Sequence, residues 1–117
     1  MSVPETIRDE LLRFCRGGKR TRSAIFSREA PVHWNVYEAI DDDGKTPLTE
    51  DGAWSRIEHE LNNGCVLNKI ILDKPPGKVG YWFKFTDGIG QSIYVKLQIG
   101  NGKVLGRSFH IDIPRSN

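Results

Sequence analysis

At 117 residues the chain has room for one hydrophobic core and one domain, residues 1–117, and is too short for two independent ones. Hydrophobic residues make up 38% and charged residues 27%, which favours a folded, water-soluble protein over a disordered chain. No apolar run approaches the roughly 20 residues of a membrane span. The net charge of +2 is small but uneven, because "RGGKRTR" gathers Arg16, Lys19, Arg20 and Arg22 into one short basic run.

The opening "MSVPETIRDELL" is acidic and helical without an apolar signal core, so the expected location is the cytoplasm, with no membrane partner. From Pro4 to Arg16 the residues Ile7, Leu11, Leu12, Phe14 and Cys15 recur near helical spacing. Ser2 is placed to cap, Pro4 suits the first turn, and Gly17-Gly18 stops the helix. After the basic run comes a short apolar patch at Ala24 to Phe26 and the β-like "HWNVYEAI", so a turn and one or two short strands are expected here. "DDDGKTPLTEDG" is a surface connection. Thr49 or Asp51 caps a second helix through about Asn62, with Trp54, Ile57 and Leu61 as its apolar stripe and Asn63-Gly64 as its stop.

Past Gly64 the pattern changes to period two. "CVLNKIIL", "KVGYWFKFT", "QSIYVKLQI" and "KVLGRSFHIDI" read as strands separated by "DKPPG", "DGIG" and "GNG", an antiparallel meander. The expected fold is α+β: two helices packed on one face of an antiparallel sheet of about four to five strands with a C-terminal meander, the other face open. Cys15 and Cys65 have neither metal spacing nor disulfide density and read as reduced, partly buried thiols. No His/Cys spacing or carboxylate cluster suggests a metal, and no cofactor is expected.

Alternation on the last two strands separates Ile93, Val95, Leu97 and Ile99 from Tyr94, Lys96 and Gln98, and Leu105, Phe109, Ile111 and Ile113 from Ser108, His110 and Asp112. Arg107 falls awkwardly on the core phase. For both apolar sets to face one core, "GNG" must form a three-residue turn, which sets Tyr94 across from Ser108; a two-residue turn at Asn101-Gly102 would instead bury Ser108 and His110. Pairing Phe83 with Val95 and Phe85 with Ile93 brings Trp82 beside Lys96 and Lys84 beside Tyr94.

The resulting patch combines cations, aromatic rings, hydroxyls and an imidazole, a set that suits RNA: lysines neutralise phosphate, rings stack on bases, and an imidazole moves a proton near neutral pH. Cleavage there would need a base for the 2′-hydroxyl, a cation on the developing phosphorane and an acid for the leaving oxygen. The candidates are His110 as base or acid, Lys96 as the stabilising cation, and Tyr94 to orient the phosphate or act as a weak acid. Trp82, Lys84, Ser108 and Arg107 bind substrate, and Lys19, Arg20 and Arg22 are placed to track an RNA backbone. A solvated face that merely keeps the sheet soluble uses the same residue types.

The helix "AWSRIEHELNNG" followed by "YWFKFTDGIGQSIYVKLQIGNGKVLGRSFH" resembles the RelE-like superfamily of small ribonuclease toxins, the MqsR type included, over residues 52–112, and "GKRTRSAIF" is faintly similar to the basic segment of MqsR-type toxins. The resemblance implies a compact ribonuclease-type fold, metal-independent mRNA cleavage and neutralisation by a cognate antitoxin. It implies a phosphate-handling role for Lys96 and, less firmly, for Tyr94, Ser108 and His110. "APVHWNVYEAIDDDGKTPL" has no counterpart in that pattern. The alternative is a non-catalytic module that binds nucleic acid or a protein through the same face. His33 and Trp34 form a separate candidate for base contact, although a packed Trp with a bystander His is the simpler reading. His59 is expected on a solvated helix face.

Overall fold

The structure, a computed structural model, describes residues 5–17, 20–22, 33–72, 77–100 and 102–112, with the backbone alone at 20–22 and 33. The first helix, α1, spans Glu5–Arg16 and buries Leu11, Leu12 and Cys15. Ser2, Pro4 and Gly18, the expected cap, first turn and stop, lie outside the described residues, as does the Ala24 to Phe26 patch. The second helix, α2, spans Glu50–Asn62, and Thr49 caps it: the Thr49 hydroxyl accepts the Gly52 N–H at 3.0 Å. Glu50 and Asp51 set carboxylates against the positive end of the helix dipole. The helix ends where Gly64 turns at φ 83°, a conformation glycine takes without a Cβ clash, and the Cys65 N–H reaches back to the Glu60 carbonyl at 3.0 Å. Arg8 of α1 donates to the Leu61 carbonyl at 3.0 Å and fastens the two helices together.

The strands are β1 (Arg20–Arg22), β2 (His33–Trp34), β3 (Asn68–Ile71), β4 (Val79–Thr86), β5 (Ser92–Gly100) and β6 (Lys103–Ile111). β3 to β6 form the antiparallel meander. β1 and β2 both lie along the outer side of β6 and pair with it in parallel, at Val104–Gly106 and at Ser108–Phe109, giving the order β1-β6-β5-β4-β3. One or two short strands are expected in this segment, but strands this short carry too few side chains for a period-two pattern to show where or how they pair. "HWNVYEAI" contributes only its first two residues to the sheet, and Val36–Glu38 then make a turn of 3-10 helix.

The helices cover one face of the sheet. Trp54, Ile57 and Leu61 of α2 and Leu11, Leu12 and Cys15 of α1 join Phe83, Phe85, Ile93, Val95, Leu97, Val104 and Phe109 in a single core. Burying each large apolar side chain there stabilises the fold by about 1.5–3 kcal/mol. Trp34 belongs to this core. Its ring lies 5.3 Å from that of Trp54 and 5.5 Å from that of Phe109, and it crosses β6 over Gly106, where a Cβ would stand 2.3 Å from the indole. Trp34 Nε1 donates to Glu50 Oε2 at 2.8 Å and Trp54 Nε1 to Glu50 Oε1 at 3.1 Å, so one carboxylate satisfies both buried indoles.

The loop between β4 and β5 is organised by Asp87, which is 6% exposed. Its carboxylate accepts the backbone N–H groups of Ile40, Ile89 and Gln91 and the Gln91 side-chain amide, all within 3.1 Å. Burial works against its charge, but these donors outweigh burial and hold the Asp87 carboxyl below the usual carboxylate range. No helix among the described residues is long and apolar enough to cross a membrane.

Candidate functional site

The sheet face away from the helices is set by two registers. Between β4 and β5, Trp82 pairs with Lys96, Phe83 with Val95, Lys84 with Tyr94 and Phe85 with Ile93, as alternation alone had indicated. Between β5 and β6 the expectation is corrected. Gly100 pairs with Lys103, so two residues and not three separate the strands, with Gly102 at φ 73°. That turn alone would carry Ser108 and His110 into the core. A register shift between Lys96 and Leu97 prevents it: Leu97 pairs with Gly106 and Lys96 with Ser108, leaving Arg107 as the extra residue of a β-bulge. Beyond the bulge Tyr94 faces His110, not Ser108. The awkward phase of Arg107 was the trace of this bulge.

The bulge aligns a row of rings across β4, β5 and β6. Trp82 stacks on Tyr94 with centroids 5.7 Å apart, and Tyr94 on His110 at 5.5 Å, with interplanar angles of 25° and 27°. Tyr94 is therefore sandwiched between its neighbours. Burial, with the Asp112 charge in support, pushes its phenol pKa up and keeps the hydroxyl protonated. The Lys84 ammonium lies 5.8 Å from the Trp82 ring and 2.8 Å from Asp112 Oδ2, an ion pair whose side chains are 46% and 29% exposed. His110 Nδ1 lies 2.9 Å from the Ile111 carbonyl oxygen. A carbonyl only accepts, so Nδ1 carries the hydrogen, and Nε2 is the basic nitrogen of the neutral ring.

Lys96, half-buried, stands in the middle of the face between Trp82 and Ser108. Ser108 and Arg107, expected as surface contacts, are only 5% and 3% exposed; burial pulls the Arg107 guanidinium pKa down. Ser108 is flanked on both sides, by Lys96 of β5 and His33 of β2. Lys19 lies outside the described residues, and Arg20 and Arg22 form β1, with their side chains undescribed. His59 is exposed on α2. Two residues went unremarked as site members in the sequence: Asp112, whose even spacing from Ser108 and His110 was the available signal, and Gln98, in phase with Tyr94 and Lys96.

No group of three or more His, Cys, Asp and Glu side chains among the described residues is arranged to hold a metal ion. One cleft of about 240 Å³ runs between the Asp41–Leu48 loop and α2, where Arg56 is already held by Asp42 at 2.7 Å and Glu60 at 3.1 Å; another of about 340 Å³ follows Thr6, Asp9, Glu10 and Arg13 on α1. Neither includes a residue of the sheet face. Compared with known families, curated proteins and solved structures, the chain finds no match.

Proposed function

We propose that the open face of β4, β5 and β6 contacts RNA and that the protein is a small metal-independent endoribonuclease of the toxin type, acting in the cytoplasm and restrained by a cognate antitoxin. The observation that carries this reading is the row Trp82, Tyr94, His110 with Lys96 beside it, which brings an imidazole, a protonated phenol and an ammonium onto one face. Lys84 and Trp82 supply a cation and an aromatic edge for the rest of the strand.

The roles follow from the chemistry of each group. His110 Nε2 takes the 2′-hydroxyl proton as that oxygen attacks the neighbouring phosphate. Lys96 stabilises the charge that builds on the phosphorane oxygens. Tyr94, whose phenol is held in its protonated form, orients the phosphate and donates to the leaving 5′-oxygen. Arg107 and Ser108, being buried, take no part in the chemistry.

A second reading, binding without cleavage, is favoured by two contacts. Lys84 is already paired with Asp112, and both faces of Tyr94 are covered by rings, which suits a rigid platform as well as a reactive group. Incubating RNA in excess chelator with wild type, His110→Ala and Lys96→Ala separates the two. Cleavage by wild type, reduced about 10²–10⁴-fold by His110→Ala, supports the enzyme. Binding without cleavage leaves the platform; neither binding nor cleavage refutes both. Induced expression arrests growth on the enzyme reading and loses that effect in His110→Ala.

A further inference from the structure

Gln98 lies on the same face as Lys96, two residues further along β5, and is 8% exposed. Its Oε1 is buried and has no hydrogen-bond partner among the described residues. An acceptor buried and unpartnered costs stability that an apolar side chain of the same shape does not, so its presence calls for a reason outside the fold.

The neighbours of the amide are small or apolar. Gly100, next on this face, has no side chain, and a Cβ there would sit 4.0 Å from Gln98 Nε2. Leu105 pairs with Gln98 from the β6 side. On the β4 side the position one step beyond the Tyr81–Leu97 pair is Gly80, and Leu72 lies over it, 2.9 Å from where a Cβ would be. One polar group set among apolar neighbours is a common way to fix the orientation of a bound molecule. Along a strand, successive residues on one face are about 7 Å apart, so Gln98 and Lys96 are within reach of a single nucleotide.

We infer that Gln98 is the specificity subsite of this face, its amide oxygen accepting a hydrogen bond from a donor on the nucleotide whose phosphate Lys96 holds. Phosphate oxygens offer no donor; a ribose 2′-hydroxyl or a base N–H does. The last torsion of a Gln side chain is broad and two-fold, so the amide turns to present its oxygen as the donor arrives. This inference rests on the RNA-contacting reading of the face.

The test compares wild type with Gln98→Leu and the unbranched Gln98→Met, by thermal unfolding and by affinity for single-nucleotide decamers in ribose and deoxyribose forms at one salt concentration. Both variants are expected to melt at higher temperature and to bind about tenfold more weakly. A loss on ribose decamers alone assigns the 2′-hydroxyl as donor; a loss confined to some bases in both sugar forms assigns the base. Higher melting temperatures with unchanged affinities overturn the inference, and so do lower melting temperatures, which would mean the acceptor is satisfied within the fold. Wild type that binds no decamer refutes the RNA reading itself, a result distinct from the other two.

Discussion

The packing of Trp34 over Gly106 offers a test in which one substitution changes sign with its background. A Cβ at position 106 would stand 2.3 Å from Trp34 Cζ3 and 2.4 Å from Cη2, so Gly106→Ala must drive the indole off β6. Overpacking costs about 1–3 kcal/mol, and loss of the 2.8 Å hydrogen bond to the Glu50 carboxylate about 1.5–3 kcal/mol more, for a total of about 2.5–6 kcal/mol. Trp34→Ala alone costs about 3–5 kcal/mol by leaving a cavity between Trp54 and Phe109. With the indole gone the clash disappears, and an alanine in a strand interior is favoured over glycine by about 0.5–1 kcal/mol. Gly106→Ala is therefore expected to stabilise the Trp34→Ala protein. Urea denaturation of the four proteins of the cycle, followed by far-ultraviolet circular dichroism, measures this. An equal cost for Gly106→Ala in both backgrounds would refute the packing described.

Asp87→Ala is expected to cost about 2–4 kcal/mol at neutral pH, because it strips the acceptor from several buried donors at once. The folded Asp87 pKa lies below the unfolded one, so its contribution is complete above the unfolded value of about 3.9 and fades as pH falls through the folded value. Denaturation midpoints of wild type and Asp87→Ala should therefore converge under acid, and a gap that persists there would contradict the assignment. Asp112→Asn frees Lys84 for phosphate, so RNA binding should tighten and the slope of log affinity against log salt should steepen by about 0.7. Asp51→Asn, an equal change of net charge on α2, is the control, and the same effect from both would mean that Asp112 acts only through total charge.

The parts of the fold that repeat a period were legible in the sequence. The apolar stripe of α2 and the β4–β5 register follow from spacing over eight or more residues, and of the two expected caps, Thr49 and Asp51, it is Thr49 that caps the helix. What escaped was local or made of single contacts. The β5–β6 register depended on two compensating features, a turn one residue shorter than expected and a bulge, and alternation sees only their sum. The polar phase of the face was therefore read correctly, but Tyr94 was matched with Ser108 when its partner is His110. Arg107 carried the signal, since a guanidinium on a core phase is a reason to look for an inserted residue. The burial of Ser108 and Gln98 came from tertiary context that one strand's pattern does not encode. Asp87 looked like an ordinary turn residue because its partner at Ile40 lies far away in the chain, while Gln91 sits in the same loop.

The bulge at Arg107 also limits which changes of length this hairpin can survive. Deleting Arg107 alone would swap the destinations of every side chain from Ser108 onward, sending His110 toward the helices and Phe109 toward solvent. Deleting it together with a one-residue lengthening of the Asn101-Gly102 turn would restore both destinations. Natural variation here should thus come in matched pairs, with a longer turn wherever the extra β6 residue is missing. In this chain the position of the imidazole depends as much on a count of residues as on which residues they are.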